Sequence, residues 1–178
     1  MASELRAFLR GKRCRAMVSP LDVKLSEVDV VQPDVLVVCD PRKIKDTHIE
    51  GAPDLVVEIA SPSTTVYDRT LKLELYARYR VKEYWLVTSY PHLLEALLLD
   101  GDGYRIRKVY RKQDTLTSPT LPGLELPLAA IFDFPIPDAE RILEVHESTP
   151  PYPRVARPRT ESGVKPPAVQ SLAHGPAQ

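Results

Sequence analysis

Glu58 is the residue most out of place chemically, because it is a carboxylate within the apolar run Leu55–Ala60. Burying a carboxylate in such a strand is costly unless it is paired, hydrogen-bonded or bound to a metal. A second acid, Asp34, opens another apolar run, Val35–Cys39. Two neighbouring strands that each carry an acid at or near one end can bring both carboxylates to one divalent cation. The pair therefore predicts a site for Mg²⁺ or Mn²⁺.

Asp54 is a rival metal ligand at the entrance to the run that contains Glu58. Positions 54 and 58 point to the same face of a strand, but four residues at ~3.3 Å each separate them by about 13 Å. Magnesium needs oxygen ligands at about 2.0–2.1 Å, so these two acids cannot share one ion on an extended strand. Asp34 with Glu58 is the better pair, and Asp54 is predicted to cap the loop or to support the site indirectly.

A cation near the two acids is predicted on the helix that follows them. The pattern predicts this helix from about Tyr67 to Tyr79, with Asp68, Lys72 and Tyr76 on one stripe. If the helix packs over the end of the Glu58 strand, Lys72 projects toward the acids. Two carboxylates, a metal and a lysine can hydrolyse a phosphodiester, with the lysine orienting water or stabilising the transition state. Asp68 and Tyr76 are secondary candidates, for which capping and packing are the plainer roles.

The elements that position these residues follow from changes in hydrophobic period along the chain. Strands alternate with a crossing helix, so we expect an α/β fold with a mixed central β-sheet and flanking helices. The polar stretch Arg42 to Gly51 is predicted to be a loop. The other predicted elements are a helix at Ser3–Leu9, strands at Arg15–Val18, Leu21–Leu25, Val35–Cys39, Leu55–Ala60, Glu83–Val87, Leu93–Leu99 and Tyr104–Tyr110, a closing segment at Leu121–Phe132 and a terminal helix at Asp138–His146.

Composition limits the class of protein. The chain has 178 residues with 24 basic and 24 acidic side chains, eighteen prolines and two cysteines. No apolar run approaches the ~20 residues that span a bilayer, and no secretory signal opens the chain, which predicts a soluble cytoplasmic protein. Two cysteines are too few for a disulfide framework and do not form a Cys-x-x-Cys pair.

Charge and proline are unevenly distributed. Residues 1–24 carry a net charge of +4, residues 25–147 carry −7, and the proline-rich residues 148–178 carry +3. The last segment has almost no hydrophobic periodicity and is predicted to be a disordered basic tail, which leaves 1–147 as the folded domain. Overall neutrality argues against tight binding of nucleic acid by electrostatics alone. It is, however, an average over an acidic body that includes the predicted metal ligands and two basic ends.

An ordered series of short segments gives the chain a specific resemblance. The segments are Val31–Val38, Gly51–Ile59, Ser61–Thr64, Asp68 with Lys72, Leu73 and Tyr76, Val81 with Glu83–Val87, Leu121–Glu125, and Ile131 with Phe132. In this order they resemble the Uma-two family, a branch of the PD-(D/E)XK nuclease superfamily. The resemblance covers roughly Leu5 to Phe132.

The resemblance implies a restriction-endonuclease-like fold and a metal-dependent site that cuts DNA. It implies Asp34 and Glu58 as metal ligands and Lys72 as the catalytic cation. In the superfamily signature a lysine follows the second acid by two positions, which is Ala60 here. The family moves that lysine to the following helix. Cutting both strands of a duplex also favours a homodimer with sites related by two-fold symmetry.

The chain departs from the family in ways that leave two functions open. Members usually begin several tens of residues earlier, with a helix, a segment resembling Glu-Leu-Ile-Asp-Gly and a histidine, so a start at Met1 suggests an N-terminal truncation. Arg80 stands where a glycine is usual, and Thr88-Ser89 stands for Asp-Pro. The chain is therefore expected to be a magnesium-dependent DNA endonuclease or, alternatively, a catalytically impaired remnant that binds DNA or a protein.

Overall fold

The computed structural model describes residues 1–60 and 69–133, and all structural statements concern this part of the chain. The predicted terminal helix Asp138–His146, the predicted tail and the boundary between domain and tail lie outside it. In chain order the α-helices and strands are α1 (Ala2–Leu9), β1 (Arg15–Val18), β2 (Asp22–Lys24), β3 (Val30–Val31), β4 (Val35–Val38), β5 (His48–Glu50), β6 (Leu55–Ala60), α2 (Leu71–Arg78), β7 (Glu83–Thr88), β8 (Leu93–Asp100), β9 (Gly103–Arg111), β10 (Thr115–Leu116) and β11 (Leu126–Pro127), with short 3-10 helices at Pro41–Lys43 and Leu128–Ala130.

Six strands form a mixed central sheet in the order β1-β4-β6-β7-β8-β9. β6 and β7 are parallel and α2 lies between them in the chain, whereas every other neighbouring pair in this sheet is antiparallel. A parallel pair needs such a crossover, because a tight turn cannot return the chain to the same end of the sheet. The predicted α/β fold with a mixed central sheet and flanking helices is confirmed.

Different elements cover the two faces of the central sheet. The α1 face packs against α1 through Leu5 and Leu9, around Trp85 of β7. The α2 face packs against Tyr76 of α2 and against a small sheet of order β3-β2-β5. Successive residues of a strand point to opposite faces, so a strand covered on both sides needs apolar residues throughout. Accordingly, β4 is buried at all four positions and β6 at five of six.

The stretch from Arg42 to Gly51, predicted as a loop, contains the short strand β5. This strand pairs in parallel with β2, and its middle residue Ile49 is 1% exposed. His48 and Glu50 on either side are polar, so a single apolar residue gives no alternation that the sequence could reveal. The loop prediction is therefore wrong here, because the pairing depends on a strand far earlier in the chain.

Arg80 adopts a backbone conformation that favours glycine, the residue that the resemblance leads us to expect at this position. It follows the end of α2 with a φ of 63°, in the left-handed region that glycine adopts most easily. The Val81 N–H donates to the Tyr76 carbonyl at 3.0 Å, which closes the helix end. Arginine at this position thus costs backbone strain but keeps the turn that leads into β7.

Cys14 and Cys39 form a disulfide, which their number did not predict. Arg15 pairs with Val38 in the antiparallel register of β1 and β4, so one further step places the two cysteines opposite each other. Disulfides are rare in cytoplasmic proteins, so this bond is unexpected for the predicted cytoplasmic location. That location stays a prediction. No helix among residues 1–60 and 69–133 is long and apolar enough to cross a membrane.

Reduction of the Cys14–Cys39 disulfide is expected to destabilise the fold. The bond joins residues 25 positions apart. Closing a loop of that length restricts the unfolded chain and is worth about 3–4 kcal/mol in the chain-entropy account. Urea denaturation with and without reductant measures the loss, and a Cys14→Ser/Cys39→Ser variant should match the reduced protein in both buffers. Equal stability of the oxidised and reduced wild type would contradict this expectation.

Candidate functional site

Asp34 and Glu58 lie opposite each other at one end of β4 and β6. The antiparallel register pairs Val35 with Val57, so one further step places Asp34 opposite Glu58. Directly opposite residues of an antiparallel pair share a face, with Cβ atoms about 4.5–5.5 Å apart. The Ile59 N–H donates to Asp34 Oδ2 at 2.7 Å, which holds this carboxylate against β6. The two predicted acids therefore meet on the α2 face.

Glu58 is buried beneath α2 and has a donor at each carboxylate oxygen. Its exposure is 2%. Lys72 Nζ lies 3.0 Å from Oε2, and the Tyr76 hydroxyl donates to Oε1 at 2.8 Å. These contacts offset the cost of burying the carboxylate. The Lys72 side chain is 20% exposed, so it lies partly at the surface while its ammonium group contacts the buried acid.

Burial and the two partners of Glu58 have opposite effects on the pKa of its carboxyl group. Burial raises the pKa of Glu58 above its usual value, Lys72 and Tyr76 oppose the increase, and the negative charge of Asp34 adds to it. The pKa of the Tyr76 hydroxyl is also raised, first by its own burial and then by the carboxylate that it contacts. Tyr76 therefore remains a neutral donor to Glu58.

Helix α2 presents Lys72 and Tyr76 to the sheet because residues four apart lie on the same face of a helix. Tyr76 is fully buried, whereas Leu71 is 58% exposed on another side. Arg69, just before the helix, forms a bidentate pair with Glu95 of β8, in which Nη1 donates to Oε1 at 3.1 Å and Nη2 pairs with Oε2. This pair attaches the start of α2 to the sheet and so helps to position Lys72.

The secondary candidates have different placements. Asp54 lies at the opposite end of β6, where Oδ2 accepts from the Cys39 N–H at 2.7 Å and Oδ1 pairs with Lys82 Nζ at 2.7 Å. The structure does not bring Asp54 to the site. Asp68 lies outside the described residues. Tyr76 contacts Glu58 directly, so its role is not packing alone.

The donor atoms of the site fit a divalent cation that prefers oxygen. Among residues 1–60 and 69–133, no group of three or more His, Cys, Asp or Glu side chains is placed to hold a metal. The candidate donors are thus the carboxylates of Asp34 and Glu58. Magnesium is often held by one or two carboxylates together with waters and substrate phosphates, and manganese accepts the same ligands. Two facing carboxylates at a strand end are compatible with that mode of binding.

Residues 1–129 match the Uma2 family, whose description is "Putative restriction endonuclease". The match covers well over half of the chain. The chain belongs to the Uma2 family.

Two individual proteins are similar to this chain. An uncharacterised protein of the cyanobacterium Synechocystis is 34% identical over 126 residues, which is 70% of this chain and 66% of that relative. The chain thus matches just under two thirds of that protein's length. A solved structure from Anabaena variabilis, described as a putative nuclease belonging to DUF820, superposes with a TM-score of 0.60 at 18% identity. That superposition covers 74% of this chain and 75% of that one, and it shows a shared fold.

Two contacts of this Uma2 site are not among those predicted from the sequence. The hydrogen bond from Tyr76 to Glu58 could have been found from its four-residue spacing to Lys72, which places both side chains on one stripe. The pair of Arg69 with Glu95 carries no such signal, because 26 positions separate the residues. It depends on how α2 crosses the sheet.

Tyr76→Phe is expected to destabilise the protein through Glu58. It removes one donor from a buried carboxylate, and hydrogen bonds to charged groups contribute about 1.5–3 kcal/mol. Urea denaturation at neutral pH measures the loss. In a Glu58→Gln background the same change should cost only about 1 kcal/mol, because the bond is then between neutral groups. An equal loss in both backgrounds would show that the two side chains are not coupled.

Proposed function

We propose that the chain is a magnesium-dependent DNA endonuclease whose site consists of Asp34, Glu58 and Lys72. The observation that carries the proposal is the contact of Lys72 Nζ with Glu58 Oε2 at 3.0 Å, with Asp34 opposite Glu58 in the register. A paired carboxylate and ammonium at the end of a strand, beside a second carboxylate, can hydrolyse a phosphodiester together with a divalent metal. Membership of the Uma2 family supports the same reaction class.

The residues of the site have different roles in the proposed reaction, according to their positions. Asp34 and Glu58 would hold a magnesium or manganese ion, which supplies positive charge to the phosphate and makes a bound water more acidic. Lys72 is partly exposed and can donate to a phosphate oxygen or orient the attacking water. Tyr76 and the Ile59 N–H each occupy one carboxylate oxygen, which restricts the orientations of Glu58 and Asp34.

The proposed substrate is duplex DNA, as the family implies. A single site cuts one strand, so a chain acting alone is expected to nick a duplex. Cleavage of both strands at one position requires two sites, and we propose a homodimer with two-fold symmetry for that reaction. The buried position of Glu58 restricts the reaction to phosphates that reach the end of β6.

Incubation of the purified protein with supercoiled plasmid tests the proposal. The expected result is conversion to the nicked or linear form with magnesium or manganese, and no conversion with EDTA. Intact folding is checked in the same samples by circular dichroism. A folded protein that leaves the plasmid supercoiled across both metals would contradict the proposal and favour a catalytically impaired member that binds DNA or a protein.

A further inference from the structure

A groove between the end of α1 and the start of β1 is rich in arginine. It forms a cavity of about 430 Å³, lined by Arg6, Arg10 and Arg15 together with Cys14 and apolar residues, and no acidic residue lines it. Lys12 and Arg13 lie in the turn that joins the two elements. We call these five cations and the cavity the basic groove. It is separate from the site formed by Asp34, Glu58 and Lys72.

The cations of the basic groove are exposed and form no ion pair with the described acidic residues. All five side chains are exposed. Glu4 is the single acidic residue among the first 21. Within residues 1–60 and 69–133, none of the five lies within ion-pair distance of a carboxylate, although Arg42, Arg69 and Arg105 elsewhere each pair with one. Arg13 is near enough to Asp40 to add to the lowering of that carboxyl's pKa, which is mainly due to Arg42. Positive charge is nevertheless concentrated here, and none of the five cations is held in an ion pair by the described residues.

Two arginines of the groove are held in place by the backbone. Arg6 Nε donates to the Ala16 carbonyl at 3.2 Å, and Arg15 Nη1 donates to the Cys14 carbonyl at 3.1 Å. The disulfide joins Cys14 to the end of β4. Side chains that are already ordered lose less conformational entropy on binding, and each guanidinium keeps further N–H donors for a ligand. The groove is thus prepared for an anion that accepts several hydrogen bonds.

We propose that the basic groove binds the phosphate backbone of double-stranded DNA. Arginine forks match the oxygens of a phosphate, and an extended group of cations suits a chain of phosphates better than one small anion. Arg15 pairs with Val38, four residues along β4 from Asp34, so it lies about 13 Å from the acids along the strand. The choice of DNA over other polyanions depends on the proposed nuclease function, whereas the binding itself needs neither the metal nor Lys72.

Fluorescence anisotropy with a labelled duplex in EDTA tests this proposal, because EDTA removes the metal that the proposed cleavage needs. The affinity is measured over a range of salt concentrations. Arg10→Gln should reduce the slope of log affinity against log salt by about 0.9 and weaken binding about five- to tenfold near 0.1 M salt. Arg10→Gln/Arg15→Gln should reduce the slope by about 1.8. Arg105→Gln is the matched control, because that arginine already pairs with Asp100, and it should leave the slope unchanged.

The possible results separate this proposal from the nuclease proposal. A smaller slope of log affinity against log salt in the groove variants supports DNA binding by the basic groove, even if the wild type cuts no plasmid. An unchanged slope in both variants would overturn this proposal, even if the wild type cuts plasmid. Thermal unfolding of each variant shows whether a change in binding reflects a change in folding. Failure of the wild type to bind duplex at low salt, tighter binding of duplex RNA, or displacement of DNA by polyglutamate at equal charge would each overturn the assignment to DNA phosphates.

Discussion

Glu58→Gln is expected to reduce DNA cleavage by at least about a thousandfold while leaving the protein folded, because it removes the charge that would hold the metal. Glu58 is buried and contacts Lys72, and of the two predicted metal ligands only Asp34, held by the Ile59 N–H, would remain in the variant. Cleavage of supercoiled plasmid under single-turnover conditions measures the effect. Glu74→Gln is the matched control, since it makes the same change at an exposed position of α2 and should leave the rate within about twofold.

Glu58→Gln should not lower the stability of the folded protein at neutral pH. The pKa of Glu58 is raised in the folded protein, mainly by burial. Between its ordinary and its folded pKa the folded state therefore holds a proton that the unfolded state has lost, so stability falls as pH rises through this range. Glutamine does not ionise, and the variant should equal or exceed the wild type in melting temperature at pH 7. The difference should vanish at acid pH, where Glu58 is neutral in both states. Cleavage by Glu58→Gln at the wild-type rate would show that Glu58 takes no part in the reaction.

Lys72→Met is expected to reduce cleavage by about 10²–10³-fold, because the site loses the cation that stabilises charge in the transition state. Unlike Glu58→Gln, it should also destabilise the protein. Glu58 would remain buried without its ammonium partner, which should cost about 1–3 kcal/mol after allowing for the partial exposure of Lys72. Plasmid cleavage and urea denaturation at pH 7 measure the two effects.

A second variant separates the role of Lys72 in stability from its role in the reaction. Adding Glu58→Gln to Lys72→Met should recover most of the lost stability and none of the activity, because the unpaired buried charge is gone but the site is still incomplete. Lys82→Met is the control, since Lys82 is 66% exposed and pairs with Asp54 away from the site. That change should cost less than about 1 kcal/mol and leave cleavage unaltered. Full activity of Lys72→Met would contradict the proposed role of Lys72.

The parts of the site that follow from short-range patterns could be predicted from the sequence. Glu58 is recognisable because a carboxylate in a run of buried apolar residues needs a compensating partner. Asp34 opens a second run of the same kind, and the spacing of Lys72 on a helix sets the stripe that faces the sheet. The structure brings these three residues together, as expected from the local pattern and the resemblance. Their roles in catalysis stay predictions.

The parts that depend on pairings between distant segments could not be predicted. The disulfide requires β1 to lie against β4 in one particular register. The strand β5 has a single buried residue, Ile49, and exists because β2 lies beside it. The basic groove likewise brings Arg6, Arg10 and Arg15 together only after α1 packs against β1. In each case the sequence contains the residues, but the contact is set by the tertiary fold.

Titration of manganese into the metal-free protein by calorimetry tests most directly whether Asp34 and Glu58 form one metal site. The wild type is expected to bind the ion, and both Asp34→Asn and Glu58→Gln are expected to lose this binding while remaining folded. Lys72→Met should retain it, because Lys72 supplies no ligand. Equal binding by the wild type and both acid variants would place the metal elsewhere and contradict the proposed site.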